Sequence, residues 1–342
     1  MLRPQTSRLF LRHFVVVGAL TTFILSAFGS GHIVSAESLN TSAAEGLQIS
    51  PALVELNAER GKTYTLKLNV LNPTNSDLSY GSTAHDFTAK DETGSPKVLL
   101  DDSLPNGASV KSWLSTLPQF TLHGHESRQL NVSVVVPASA EPGGHYGVMS
   151  FAGKDPQLAD TGVGVTASTG LLILIRVDGA ISEKLSLATF TSEREGKQHS
   201  FFESSPINFV SRLKNEGNIH VKPVGKIEIR DMFGGTVASL PVNDKAANVL
   251  PGSIRRFDSL LNKSWMIGHY TAELTLGYGT TGQAITNQIS FWVIPYKPLL
   301  AGLLLLVTLV YVLRRLIKVY NRRIINKAKQ TNANKTKKRK KK

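Results

Sequence analysis

The sequence predicts an all-β protein, two tandem β-sandwiches followed by a single transmembrane α-helix. Three observations predict it. Apolar and polar residues alternate with period two along many short runs between residues 37 and 297. An Asn-rich strand-and-turn pattern occurs twice in that stretch. A charge-free run, Leu299 to Leu313, is followed by a tail of basic residues.

The elements follow in chain order. Arg3, Arg8 and Arg12 precede an apolar run from Phe14 to Phe28 and the small-residue end Val34-Ser35-Ala36. A basic start, an apolar stretch and a small-residue site make residues 1–36 a secretory signal peptide, cut after Ala36.

Residues 37–179 form the first predicted sandwich and 180–297 the second. Tyr64-Thr65-Leu66-Lys67-Leu68-Asn69-Val70, Leu130-Asn131-Val132-Ser133-Val134 and Tyr270-Thr271-Ala272-Glu273-Leu274-Thr275-Leu276 each put one face in a core and the other in water. Turn residues separate these runs, and no long amphipathic helix pattern interrupts them.

The repeat fixes the number of copies. Val70-Leu71-Asn72-Pro73-Thr74-Asn75 matches Leu213-Lys214-Asn215-Glu216-Gly217-Asn218, a strand leaving into an Asn-rich turn. Gly144-His145-Tyr146 returns as Gly268-His269-Tyr270 before a late strand. A Tyr there resembles the tyrosine corner of immunoglobulin-like sandwiches, and the repetition assigns His145 and His269 equivalent structural places. The first copy is longer, with the excess expected in a loop-rich stretch from His85 to Leu117. Leu171-Leu172-Ile173-Leu174-Ile175 reads as a strand buried on both faces.

Residues 298–317 are the predicted span. Twenty residues suffice to cross a bilayer, with Arg314 and Arg315 snorkelling at the end. Trp292 and Tyr296 precede it, where amphipathic rings favour the membrane interface. Ile294-Pro295-Tyr296-Lys297-Pro298 is no Leu-Pro-x-Thr-Gly signal, so sortase attachment to a wall is not expected.

The net charge of +14 is distributed by segment. Residues 1–36 carry +3, residues 37–313 carry −3, and residues 314–342 carry +14. Positive charge beside a span stays in the cytoplasm, so the sandwiches lie outside and the tail, residues 318–342, inside. The tail suits anionic lipid, and its plainer reading is a stop-transfer signal. A nearly neutral exported part gives no reason to expect a nucleic-acid partner.

Catalytic chemistry is not legible. The chain has no cysteine, which removes disulfides and thiolate sites. No nucleophile elbow, metalloprotease helix or phosphate-binding glycine loop is present. Asp101 and Asp102 are adjacent, so on a strand they would point to opposite faces. His123-Gly124-His125 is the best metal pattern, with His145 and Met149 as further soft ligands, but it reads as a turn between strands. The sequence therefore assigns no catalytic, cofactor or metal residue and reads as a non-enzymatic binding protein.

Several features together resemble the WxL-interacting protein family of bacterial cell-surface proteins. They are the opening Leu47-Gln48-Ile49-Ser50-Pro51, the strand and turn from Leu66 to Asn75, Pro142-Gly143-Gly144-His145-Tyr146-Gly147, the second sandwich, and the span with its basic tail. The resemblance implies peptidoglycan binding by the first sandwich and host or surface proteins, WxL-type ones among them, as further partners. The leading expectation is thus a membrane-anchored surface protein that binds cell-wall polymer or surface proteins through loops at the sandwich ends or an exposed strand edge. The alternative is an assembly chaperone of the pilus type that holds partner strands at a sandwich edge. A third is a metal-handling exported domain using His123 and His125.

Overall fold

The computed structural model describes residues 46–101, 104, 109–154 and 168–339. The expected signal peptide lies outside the described residues.

The first sandwich is built from β1 (Gln48–Ser50), β2 (Leu53–Ala58), β3 (Thr63–Leu71), β4 (Leu78–Ala89), β5 (Pro96–Leu99), β6 (Phe120–Leu122), β7 (Ser127–Val135), β8 (Gly143–Lys154) and β9 (Ser168–Val177). One sheet runs β1-β3-β7, and the facing sheet runs β2-β9-β8-β4-β5 with β6 on β4. The second sandwich contains β10 (Leu185–Arg194), β11 (Lys197–Gln198), β12 (Phe201–Phe202), β13 (Ile207–Asn215), β14 (Val224–Asp231), β15 (Thr236–Val242), β16 (Ile254–Leu261), β17 (Gly268–Tyr278) and β18 (Gln283–Val293). Its sheets run β11-β10-β13-β16 and β12-β18-β17-β14-β15. The two copies share a plan, down to one parallel edge pair in each, β2 on β9 and β12 on β18.

That parallel pair arises from a strand that changes sheets. β1 pairs with β3, but Pro51 lacks the N–H a ladder needs. The chain leaves that sheet there and re-enters the facing one as β2.

Alternation fills the cores. Leu66, Leu68 and Val70 of β3 and Val132 and Val134 of β7 face Met149 and Phe151 of β8 and Leu171, Ile173 and Ile175 of β9. In the second copy Phe209 and Leu213 of β13 face Leu274 and Leu276 of β17 and Phe291 of β18. The outer face of β9 is also covered. Leu172 and Leu174 pack with Phe87, Tyr146 and Val148 against Leu250 of the second sandwich.

Both Asn-rich turns share one device. Asn72 and Asn215 are fully buried. Asn215 Nδ2 donates to Ile219 O and Val249 O, both at 2.8 Å, while Gly217 N–H donates to its Oδ1 at 2.9 Å. Asn72 repeats this, giving Nδ2–H bonds to Ser76 O at 2.8 Å and Leu122 O at 3.2 Å and accepting from Thr74 N–H at 3.0 Å. A single amide replaces the hydrogen bonds that the turn's backbone would otherwise lose to burial.

The Gly-His-Tyr repeat behaves differently. β8 and β17 occupy the same place in their sheets, yet His145 faces the core in one and Tyr270 in the other. His145 lies on Trp113 with ring centroids 4.6 Å apart, whereas His269 lies outside on Trp292. Tyr270 closes a local corner on Ile267, its hydroxyl accepting from the N–H and donating to the carbonyl. Tyr146 instead points away from its own core. The expected equivalence of the two histidines is corrected by this one-residue offset in facing.

The stretch from His85 to Leu117, expected to be loop-rich, holds structure. It makes the β4–β5 hairpin and a 3-10 turn at Lys111–Trp113. Buried Asp86 accepts from Val110 N–H at 2.7 Å, Lys111 N–H at 3.0 Å and Ser109 Oγ at 2.6 Å, which sets Trp113 into the core.

Helix α1 (Tyr296–Arg339) leaves β18 after only Ile294 and Pro295. It is long and apolar enough to cross a membrane, and its apolar window is unburied by the sandwiches. It continues past Ile317 into the basic residues without a break.

Candidate docking surfaces

The two sandwiches meet end to end, and Tyr146 is at the centre of the junction. Its hydroxyl accepts from His220 N–H at 2.8 Å and lies 3.2 Å from His220 Nδ1. Burial pushes the Tyr146 hydroxyl well above its ordinary pKa. Burial likewise pushes His220 down to about 4, so the ring is neutral at pH 7.

Around this pair the contacts are polar and specific. Gly144 N–H donates to Asn218 O at 2.8 Å. At Gly143, φ is +130°, and a Cβ would stand 2.8 Å from that same carbonyl, so only glycine permits the approach. Glu92, at the tip of the β4–β5 hairpin, accepts from Arg212 Nε at 2.7 Å, and its carbonyl accepts from Arg256 N–H. Arg212 and Arg256 also meet the buried Glu193 at 3.7 and 3.0 Å. Arg176 on β9 is held by Glu183 at 3.3 Å.

Beside the junction opens a cleft of about 390 Å³, with Leu53, Phe87 and Leu174 on one wall and Lys222, Ala247 and Arg255 on the other. Glu55 is its acid. Burial opposes its charge, but hydrogen bonds from Lys222 and Asn248 and the Lys222 ammonium outweigh burial and hold it below the usual carboxylate range. Lys222 stands 2.6 Å from that carboxylate and Asn248 Nδ2 stands 2.8 Å away. The Arg255 guanidinium, whose pKa burial lowers, rests 5.7 Å above the Phe257 ring and donates to Asn248 O at 2.6 Å. Glu55 and Lys222 thus pair with each other inside the cleft, which is a wall of the junction.

The sequence-predicted metal residues do not converge. His123 Nδ1 pairs with Asp77 at 2.8 Å, and His125, at φ +62°, meets Asn75 at 2.7 Å. Both lie in the exposed turn between β6 and β7, at the end of the first sandwich away from the second. His145 sits at the opposite end of β8, bonded to Glu141 O at 2.8 Å, and Met149 is in the core. Among the described residues no group of three His, Cys, Asp or Glu is close enough to hold a metal. Asp101 is exposed, and Asp102 lies outside the described residues.

A strand edge remains. β2 covers β9 only from Leu172 to Val177. Leu172 N–H donates to Ala52 O across that edge, so the N–H and C=O of Gly170 and Ser168, two and four residues earlier, point the same way. Among the described residues no strand pairs with them there. Sequence reasoning named strand edges but not this one, since the coverage of β9 depends on where β2 begins.

No family model and no curated protein matches this chain. Among solved structures it is similar to the class 5 fimbriae chaperone CfaA, at 14% identity, over 71% of this chain and 98% of that one, with a TM-score of 0.37. It is similar to the E. coli chaperone DraB at 14% identity, over 72% and 96%, with a TM-score of 0.32. A Salmonella enterica complex of the SafA pilin with the SafB chaperone aligns at 12% identity, over 72% and 96%, with a TM-score of 0.33. The cell-wall function expected from the sequence, with peptidoglycan and WxL-type surface proteins as partners, is corrected by these findings. The neighbours named are chaperones, not wall-binding proteins. The residues that carried the expectation are consumed by the fold: Asn72 is buried in its turn, and Gly143 and Gly144 are packed on Asn218.

Proposed function

We propose that this chain is an exported, membrane-anchored, non-enzymatic chaperone that holds a strand of another secreted protein at the open edge of β9. The observation that carries the reading is the outward-pointing backbone of Ser168 and Gly170, a ladder continuous with β2 that no strand among the described residues fills. A strand added there would extend the sheet through main-chain hydrogen bonds, which tolerate many partner sequences. The partner taken in this reading is a subunit of pilin or adhesin type, the class named with the similar chaperones. In this reading α1 spans the membrane, the basic residues after Leu313 stay in the cytoplasm, and both sandwiches lie outside.

Quantitative proteomics of the surface fraction tests it. Deleting the gene is expected to lower one or more secreted proteins, wild type to restore them, and Ser168→Pro to fail. Proline is tolerated at the first residue of a strand but removes the outward N–H. An unchanged surface proteome, or full restoration by Ser168→Pro, overturns the proposal.

A further inference from the structure

The second sandwich exposes large apolar side chains unevenly. Phe233 is 89% exposed, Trp265 73%, Phe201 67%, Ile267 56% and Met232 53%. All belong to one end of the sandwich. Phe201 is in register with Trp292, the penultimate residue of β18. Trp265 and Ile267 are in the loop from β16 to β17, and β17 begins opposite the last residue of β18. Met232 and Phe233 form the turn after β14, whose last residue pairs with Tyr270, and Met232 approaches Gly268.

This is the end from which α1 departs. Two residues separate Val293 from Tyr296, three steps and at most ~11 Å of extended chain. The Lys297 ammonium stands 2.8 Å from Glu203, in the loop after β12, and ties the first turn of α1 to the same end. The predicted span, residues 298–317, covers about 30 Å at the helical rise, no more than a hydrocarbon core of about 30 Å. With no surplus helix and only Ile294 and Pro295 between strand and helix, the end of the sandwich is held at the headgroups. An exposed apolar cluster at an end held this close to lipid has an obvious solvent.

We propose that this collar, Phe201, Met232, Phe233, Trp265, Ile267 and Trp292, seats the second sandwich in the interfacial layer of the membrane that α1 crosses. The inference rests on the reading of α1 as a span. The collar's aromatic rings occupy the depth that Trp and Tyr favour, roughly 5–10 Å into the boundary of headgroup and acyl chain. Arg194, Lys197, Lys263 and Lys297 at this end stand against Glu195, Glu203 and Asp231, an excess of one positive charge, so apolar burial more than headgroup charge drives the seating. The first sandwich then stands at a fixed height with its β9 edge away from the lipid.

The three tryptophans make the test direct. Trp113 is buried in the first sandwich, whereas Trp265 and Trp292 are in the collar. The full chain is reconstituted in vesicles with and without lipids brominated high on the acyl chain, alongside Trp265→Phe/Trp292→Phe. Alkaline carbonate extraction reports integration independently. The expected result is an integrated chain whose emission is quenched by bromine, a loss of quenching in the double variant, and no change of either with salt. An integrated wild type that escapes bromine and is quenched by aqueous acrylamide at both positions overturns the collar and leaves the span standing. A chain released by carbonate overturns the span and the collar together.

Discussion

Replacing Asn215 by alanine measures how much one buried amide holds the second sandwich together. The substitution removes two donated bonds of 2.8 Å and one accepted bond of 2.9 Å. Val249 O keeps Val221 N–H as a donor, so it is not orphaned. Ile219 O loses the asparagine in a buried setting and Gly217 N–H in a half-buried one, at about 1–3 kcal/mol each, and the loss expected is about 2–6 kcal/mol. Asn72→Ala is expected to cost the first sandwich a similar amount, because Leu122 O and Thr74 N–H lose the amide while Ser76 O keeps the Thr74 hydroxyl and His123 O, its third acceptor at 3.1 Å, keeps Glu126 N–H. Asn218→Ala removes two bonds of 2.8 Å from an exposed side chain, and water replaces them for about 1 kcal/mol or less. Hydrogen exchange on the full chain in nanodiscs reads each sandwich separately, through the slowest amides of β13 and of β8. The reasoning fails if Asn215→Ala costs under about 1 kcal/mol, or no more than Asn218→Ala.

Two further outcomes follow from the junction. His220 titrates near 4 in the folded chain against about 6.5 unfolded, so its contribution is complete above pH 6.5 and declines as pH falls toward 4; about 2 kcal/mol should go between pH 7.5 and pH 5. Denaturant titrations of wild type and His220→Phe at both pH values check this, and identical pH slopes refute it. Glu92→Ala removes the 2.7 Å bond to Arg212 at a half-exposed site, and is expected to cost about 1 kcal/mol. The hairpin amides from Lys90 to Ser95 should exchange faster while β9 and β17 stay protected; equal acceleration in the cores would mean the pair supports more than the junction.

What could be read from sequence was whatever repeats locally. Period-two runs give strands because a strand half in water must alternate, and the Asn turn gives copies because burying its backbone requires the same amide twice. The junction was not legible in this way. Glu92 meets Arg212 across 120 residues and Lys222 meets Glu55 across 167 residues, and neither pair has a local pattern. The stretch from His85 to Leu117 reads as loop because its turn residues dominate, yet Asp86 organises it through three bonds to residues more than twenty positions away. Function suffered most, since turn patterns shared with a family report how a sandwich folds and not what it holds.

The Gly-His-Tyr repeat shows where a sharper reading was available. A tripeptide does not set which way its side chains face; the frame of the strand does. In β8 the core side chains Met149 and Phe151 are two apart, and counting back by twos reaches His145 and leaves Tyr146 outside. In β17 Ala272, Leu274 and Leu276 count back to Tyr270. The identical triplets are therefore offset by one residue against otherwise matching strands. The consequence is the junction itself: a tyrosine that would have closed its own corner is turned outward, where its hydroxyl satisfies His220 of the neighbouring sandwich. An offset of one residue converts a second copy of the same motif from a core element into the contact that joins the copies.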